Sequence, residues 1–304
     1  MKAVERLVNR SEQAAYAELQ NIAESNNLKV FPKVRLSDVL AKGPRHLSQR
    51  EFDFYTRSHC DFVLTDAEFR PVMVVEYDGP LHADAKQQER DAIKNALFEE
   101  AELGLLRIND KHVTRHYRGL TVLRWIVEVT ELQKGFDQAQ QAGQIPMEED
   151  FDPAFLTVEG KGRFPYWLSA EANIAINKFR ASLPKDRVFG WHSFIGYDAD
   201  GTASRLSTLR VDDKVLWSKT AVRRQSLDFP HFDLLNEVDG CELGTKLALF
   251  QAGSLQPSSP KEFGKILQRF CNEQKVHPSF STGNLAVNAK YDLKNGWDFT
   301  SNPS

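Results

Sequence analysis

Three carboxylates carry the clearest chemistry in this chain of 304 residues. Asp61 opens a short apolar run, residues 62–64, and Glu76 and Asp78 close a longer, Val-rich run, residues 72–77. The polar, turn-forming segment 65–71 between them predicts an antiparallel hairpin. In such a hairpin the start of one strand lies beside the end of the other, which brings Asp61 to Glu76. Glu76 and Asp78 are two residues apart and share a strand face. Three carboxylates at one point repel each other and are costly to bury. A divalent cation resolves that repulsion, and oxygen-only ligands favour Mg²⁺ or Mn²⁺ over zinc.

The elements that must position these acids follow from pattern. Residues 85–103 predict a strong helix, on which Gln87, Arg90, Asp91 and Lys94 are spaced to share a face. That face is either an ion-paired solvent surface or one turned to the acids, where Lys94 would stabilise charge on a phosphoryl group. His82 follows the Gly79-Pro80 break. It is either an ordinary loop histidine or a group that orients water or contacts a phosphate. Gly104 reads as the helix C-cap, and residues 105–108 as a buried strand whose Arg107 either pairs with an acid of the site or exits to solvent. Upstream, residues 5–24 predict an amphipathic helix with Tyr16, Leu19 and Ile22 inward. Residues 28–40 read as strand pieces at a sheet edge around Pro32. Residues 41–52 are basic and turn-rich: a surface loop, or a segment touching phosphate through Lys42, Arg45 and Arg50. Residues 113–132 predict a second helix with Leu120, Leu123, Trp125, Ile126 and Val127 in the core.

The pattern of Asp61, Glu76-Tyr77-Asp78-Gly79, His82, Arg90-Asp91, Lys94, Gly104 and Leu105-Leu106-Arg107-Ile108 resembles the PD-(D/E)XK nuclease superfamily. It is most similar to a small bacterial branch that includes very-short-patch-repair-like endonucleases, and the resemblance covers roughly residues 1–130. It implies an α/β, restriction-endonuclease-like fold with a small mixed sheet flanked by helices. It also implies Mg²⁺- or Mn²⁺-dependent hydrolysis of DNA phosphodiesters, in repair, restriction or phage defence. Glu12 by itself reads as a solvated helix charge, but related nucleases set a first-helix Glu against the metal, which makes it a candidate fourth carboxylate beside Asp61, Glu76 and Asp78. Some carry a polar helix residue near the site, which adds Gln88 to His82 and Lys94. The family motif has Lys two residues after the acidic residue. Here that position is Asp78, so the positive charge has to come from elsewhere in the chain.

Bulk properties bound the rest. Hydrophobic residues make up 41% and charged residues 27%, which predicts a globular protein. A net charge of −3 argues against a generally basic nucleic-acid coat, while leaving room for a local basic groove. Three scattered cysteines, Cys60, Cys241 and Cys271, fit a reducing cytoplasm and no zinc finger. Neither a signal peptide nor a membrane span is expected.

The predicted layout is a nuclease-like domain over residues 1–133, a linker over 134–152 and a separate α+β domain over 153–304. In the last, residues 170–183 and 261–272 read as helices, and 188–197, 204–210 and 214–219 as strands. The tail beyond residue 276 reads as irregular. Arg205, Arg210, Lys214, Lys219, Arg223 and Arg224 are either the polar face of an ordinary sheet or, with Arg45, Arg50 and Arg90, contacts to a single- or double-stranded DNA backbone. Asp233, Glu237 and Asp239 read as a surface turn. The aromatic-rich second half is a candidate for protein partners or homodimer contacts. The Asp at the usual Lys position favours an alternative: an inactive nuclease fold serving as a nucleic-acid-binding or protein-interaction module.

Overall fold

The computed structural model describes residues 6–40, 47–78, 85–153, 166–183, 192–198, 201–212, 214–223, 225–227, 231–276, 290–292 and 296–298. His82, Lys42, Arg45 and Arg224 lie outside these residues. The chain divides into two units, one of Met1–Asp152 with Gln225–Pro230, the other of Pro153–Arg224 with His231–Ser304.

The first unit is mixed α/β. Its elements are α1 (Arg10–Ser25), β1 (Lys29–Arg35), α2 (Leu36–Val39), α3 (Gln49–Arg57), β2 (His59–Thr65) and β3 (Pro71–Tyr77). They continue with α4 (Ala85–Glu100), β4 (Gly104–Ile108), α5 (Asp110–Thr114), a small hairpin of β5 (His116–Tyr117) and β6 (Leu120–Thr121), and α6 (Val122–Gln141). The sheet order is β1-β2-β3-β4. The first three strands are antiparallel, and β3 and β4 are parallel, joined through α4. A parallel pair needs such a crossover, and the helix supplies it.

Local signals explain the element ends. Asn9 and Glu12 form a capping box that starts α1: the Glu12 amide donates to Asn9 Oδ1 at 2.9 Å and the Asn9 amide to Glu12 Oε2 at 3.1 Å. Ala15, Leu19, Ile22 and Ala23 then bury one stripe. In the β2–β3 turn, Asp66 accepts from the amides of Glu68 and Arg70 at 3.0 and 2.9 Å.

Three expectations are corrected here. Gly104 does not cap α4. Glu102 takes the left-handed position (φ 51°), and the Leu103 amide closes the helix on Phe98 O at 3.1 Å. Gly104 begins β4 instead, where a Cβ would stand 3.3 Å from Leu227. The single helix expected over 113–132 is broken by Arg118 and Gly119, both left-handed (φ 52° and 72°), which turn the chain into the β5–β6 hairpin. The expected linker begins with helix, because α6 runs on to Gln141.

On one face of the sheet Cys60, Val63, Val74 and Leu105 pack with Leu36, Leu40, Tyr55, Leu97 and Phe98 from α2, α3, α4 and their flanks. On the other, Tyr16 of α1 stacks on Phe62 with ring centroids 6.0 Å apart. The open edge of β4 is covered by the returning segment. Leu105 and Ser226 exchange backbone hydrogen bonds of 2.7 and 3.1 Å, and Gln225 accepts from the Arg107 amide at 2.6 Å. Pairing an edge in this way removes a template for aggregation.

The second unit is built from α7 (Ala170–Ser182), β7 (His192–Tyr197), β8 (Ala203–Val211), β9 (Lys214–Val222), α8 (His231–Gln251), α9 (Pro260–Glu273), β10 (Lys275–Val276), and a ribbon of β11 (Lys290–Asp292) and β12 (Gly296–Asp298) within the tail expected to be irregular. The antiparallel sheet runs β10-β7-β8-β9. Leu209 and Val211 pack with α7 and α8, while Phe194 and Leu206 pack with α9. Strand β8 is therefore buried on both faces and loses the alternation expected of a one-sided sheet. The predicted surface turn at Asp233, Glu237 and Asp239 is instead part of α8, and Glu237 and Asp239 are buried. Phe194 is buried, and Phe179 and Trp217 pack into the two cores, so these aromatics serve the interior.

Candidate active site

Sheet register brings the first two carboxylates together. Phe62 pairs with Val75 across β2 and β3, and one step further out Asp61 meets Glu76. The Asp61 amide donates to Glu76 Oε1 at 3.3 Å, and the Tyr77 amide to Asp61 Oδ2 at 2.9 Å. Glu76 is 8% exposed. Burial pushes its carboxyl above the ordinary range, with Lys94 opposing and the Asp61 charge adding to the rise. Cys60, between the same groups, is an inert thiol: burial, reinforced by Glu76, pushes it up to about 12.

Two lysines answer these acids from different elements. Lys94, on the buried face of α4, donates to Glu76 Oε2 at 2.7 Å and to the His59 carbonyl at 3.2 Å. Lys33, in edge strand β1, lies 2.6 Å from Asp61 Oδ1 and 3.1 Å from Glu12 Oε1. Burial works against its charge, but the bonds and charges of Asp61 and then Glu12 outweigh it and hold the ammonium above its usual value. Lys33 is also left-handed (φ 56°), an uncommon conformation for a residue with a Cβ. The β1–β2 ladder pairs Pro32 with Phe62 and Val34 with Cys60, so the kink falls opposite Asp61.

A second layer holds α4 in place. Arg107, beside Glu76 in the β3–β4 register, lies 3.8 Å from Asp91 and donates to Asn95 Oδ1 at 2.6 Å. Gln87 donates to Asp91 at 3.0 Å. Arg107 is buried, so it does not exit to solvent, and the acid it lies against is Asp91 of α4. Tyr77 hydrogen-bonds Asp110, and burial together with Asp110 pushes its phenol up to about 12. An open cleft of about 620 Å³ adjoins Glu12 and Lys33, lined also by Arg6, Asn9 and Arg10.

The structure thus gathers Asp61, Glu76, Lys94 and Glu12. Asp78 is half-buried just past β3, its amide donating to the Ile108 carbonyl at 2.7 Å. Gln88 and Arg90 are exposed on α4, and Arg50 is exposed and paired with Glu89. In the second unit Arg205 is buried, 3.3 Å from Asp239 and 3.0 Å from Ser193 Oγ, so no phosphate can reach it. This corrects its reading as a nucleic-acid contact: on a strand covered on both faces, an inward arginine is buried with its acid. Lys214 is exposed, Arg210 and Arg223 are half-buried, and Lys219 pairs with Glu273 at 3.1 Å. Lys33 is the residue that sequence reasoning missed. Its role depends on a local backbone reversal inside a strand, and Pro32 before it is a weak mark of that.

The donor set fits a hard divalent cation. Asp61 and Glu76 offer only oxygen, lie side by side, and include a buried carboxylate that calls for positive charge. Among the described residues no three His, Cys, Asp or Glu side chains are grouped to hold an ion. Mg²⁺ needs no such cage: one or two carboxylates plus substrate phosphates commonly hold it.

Residues 4–120 match a family model described as a protein of unknown function (DUF2726). That span holds Glu12, Lys33, Asp61, Glu76, Lys94 and Arg107. No curated protein and no solved structure matches the chain.

Proposed function

We propose that the first unit is a restriction-endonuclease-like domain of the PD-(D/E)XK type that hydrolyses phosphodiester bonds in DNA with Mg²⁺ or Mn²⁺. One observation carries the reading: Asp61 and Glu76 side by side, with Lys94 from α4 bound to Glu76. The charge that the motif's usual lysine position lacks, being Asp78, thus arrives from the neighbouring helix. Asp61 and Glu76 would hold the metal, which when bound makes its water more acidic and neutralises charge on the phosphoryl oxygens. Lys94 fixes Glu76 and sets a positive charge at the site. Arg107, Asp91 and Asn95 keep α4 in the register that puts Lys94 there. Arg90, exposed on α4, would contact the DNA backbone, and Arg50, exposed on α3, would do so by exchanging Glu89 for a phosphate. The second unit would select the substrate or a protein partner, in repair, restriction or phage defence.

Supercoiled plasmid and single-stranded DNA, each with Mg²⁺, Mn²⁺ or EDTA, test this directly. Wild type should cut with metal and not with EDTA, and Asp61→Ala and Glu76→Ala should each lose cleavage by at least about a hundredfold. Full activity in either variant removes the assignment.

One feature favours a second reading, an inactive nuclease fold used as a binding module: both carboxylates already have a lysine partner. Nucleic-acid binding without cutting on any of these substrates would support it.

A further inference from the structure

We propose that Lys33 is a removable cation that holds the site together until the metal arrives and gives way to it; this rests on the metal-dependent reading above. The two lysines of the site are not equivalent. Lys94 is enclosed, its side chain 11% exposed, and is tied to both Glu76 and a backbone carbonyl. Lys33 is 30% exposed and lines the open cleft beside Arg6, Asn9 and Arg10. Its ammonium lies against Asp61 at 2.6 Å and Glu12 at 3.1 Å, so it is shared by two carboxylates. Rotation about its side-chain bonds carries it into the cleft without disturbing the sheet.

The backbone supports a dedicated role. Lys33 holds a left-handed φ of 56° in a strand whose neighbours pair normally. Such strain persists where surrounding structure over-determines it, and here it aims the side chain at Asp61. An ordinary structural ion pair would not need it, because a lysine in regular strand geometry can reach a neighbour on its own face. An ammonium and a divalent ion on Asp61 repel each other at close range, and Lys33, more exposed than the enclosed Lys94, can relieve that repulsion by swinging away. Lys33 therefore lowers the apparent metal affinity and keeps the metal-free acids from repelling each other.

Titration calorimetry with Mn²⁺ on the full chain, using wild type, Lys33→Met and Lys33→Arg, tests the exchange without any cleavage assay. Lys33→Met should bind Mn²⁺ at least about tenfold more tightly than wild type, as removing a competing charge requires. Lys33→Arg, which keeps the charge, should stay close to wild type. In EDTA, Lys33→Met should melt at a lower temperature than wild type, and saturating Mn²⁺ should raise its melting temperature by more. Lys33→Gly, which suits the left-handed backbone, keeps the test open where Lys33→Met folds poorly, and should also bind more tightly. Unchanged or weaker binding by the uncharged variants, with wild type binding normally, overturns the exchange and leaves the metal site standing. Absence of Mn²⁺ binding in every variant overturns both.

Discussion

Lys94 and Glu76 form an enclosed ion pair, with side chains 11% and 10% exposed. Such a pair adds little net stability over an apolar one, but removing one partner leaves an uncompensated buried charge. Lys94→Met should therefore destabilise the protein by about 3 kcal/mol at neutral pH, read by urea unfolding. Adding Glu76→Gln should return most of that loss, since the buried charge is then gone. A double variant no more stable than Lys94→Met would show that Lys94 acts by packing and not by charge. Both variants should be inactive, so stability separates what activity cannot. The layer behind the pair has its own logic: Arg107 reaches Asp91 and Asn95 one turn apart on α4, which fixes the rotation of the helix and so the aim of Lys94.

At the scale of elements, two helical glycines have opposite meanings. Gly135 of α6 has nothing within 4 Å of an added Cβ. Gly244 of α8 faces Ala172 of α7, whose Cβ would lie 2.4 Å from a new one, and Gly240 similarly faces Ser169 at 2.9 Å. Close helix crossing, not flexibility, explains glycine at 240 and 244. Gly135→Ala should stabilise by up to about 1 kcal/mol through helix propensity. Gly244→Ala gains the same propensity but must push the helices apart, with a net loss of about 1–3 kcal/mol. Thermal unfolding of the two variants decides between them, and stabilisation by Gly244→Ala would contradict the packing.

The whole molecule couples two units through a chain that leaves the first, returns over residues 225–230 and leaves again. Two-unit unfolding need not be a single transition, which makes pH a useful label. Glu237 is buried on α8, where it accepts from the Ser169 amide and hydroxyl at 2.9 and 2.7 Å. Burial pushes its carboxyl up to about 7, against the bonds from Ser169 and with help from Asp233. The folded chain thus binds more protons than the unfolded chain between the ordinary value of 4.5 and about 7. Stability from this group is complete below the lower value and falls as pH rises through the upper one, by about 3 kcal/mol in all. Glu237→Gln should flatten that slope in one transition and leave the protein more stable at pH 8, as chemical unfolding from pH 4 to 8 would measure. An unchanged slope would place the titration elsewhere.

What the sequence determined by itself was local. The hairpin around residues 65–71 was legible because polar turn residues separate two apolar runs, and its register alone brings Asp61 to Glu76. The crossover helix was legible because helix formers and spaced apolar residues continue over four turns. Tertiary structure decided the rest. Rotation of α4 chose Lys94 over Gln88 and Arg90, since only packing on the sheet selects which side of a helix is inside. Cover on both faces of β8 buried Arg205 with Asp239, and a helix formed where an acidic cluster read as a turn, because long-range burial overrides local polarity. The left-handed kink at Lys33 has no periodic signature, and it is the partners of Lys33, 21 residues before it and 28 after, that make it part of the site.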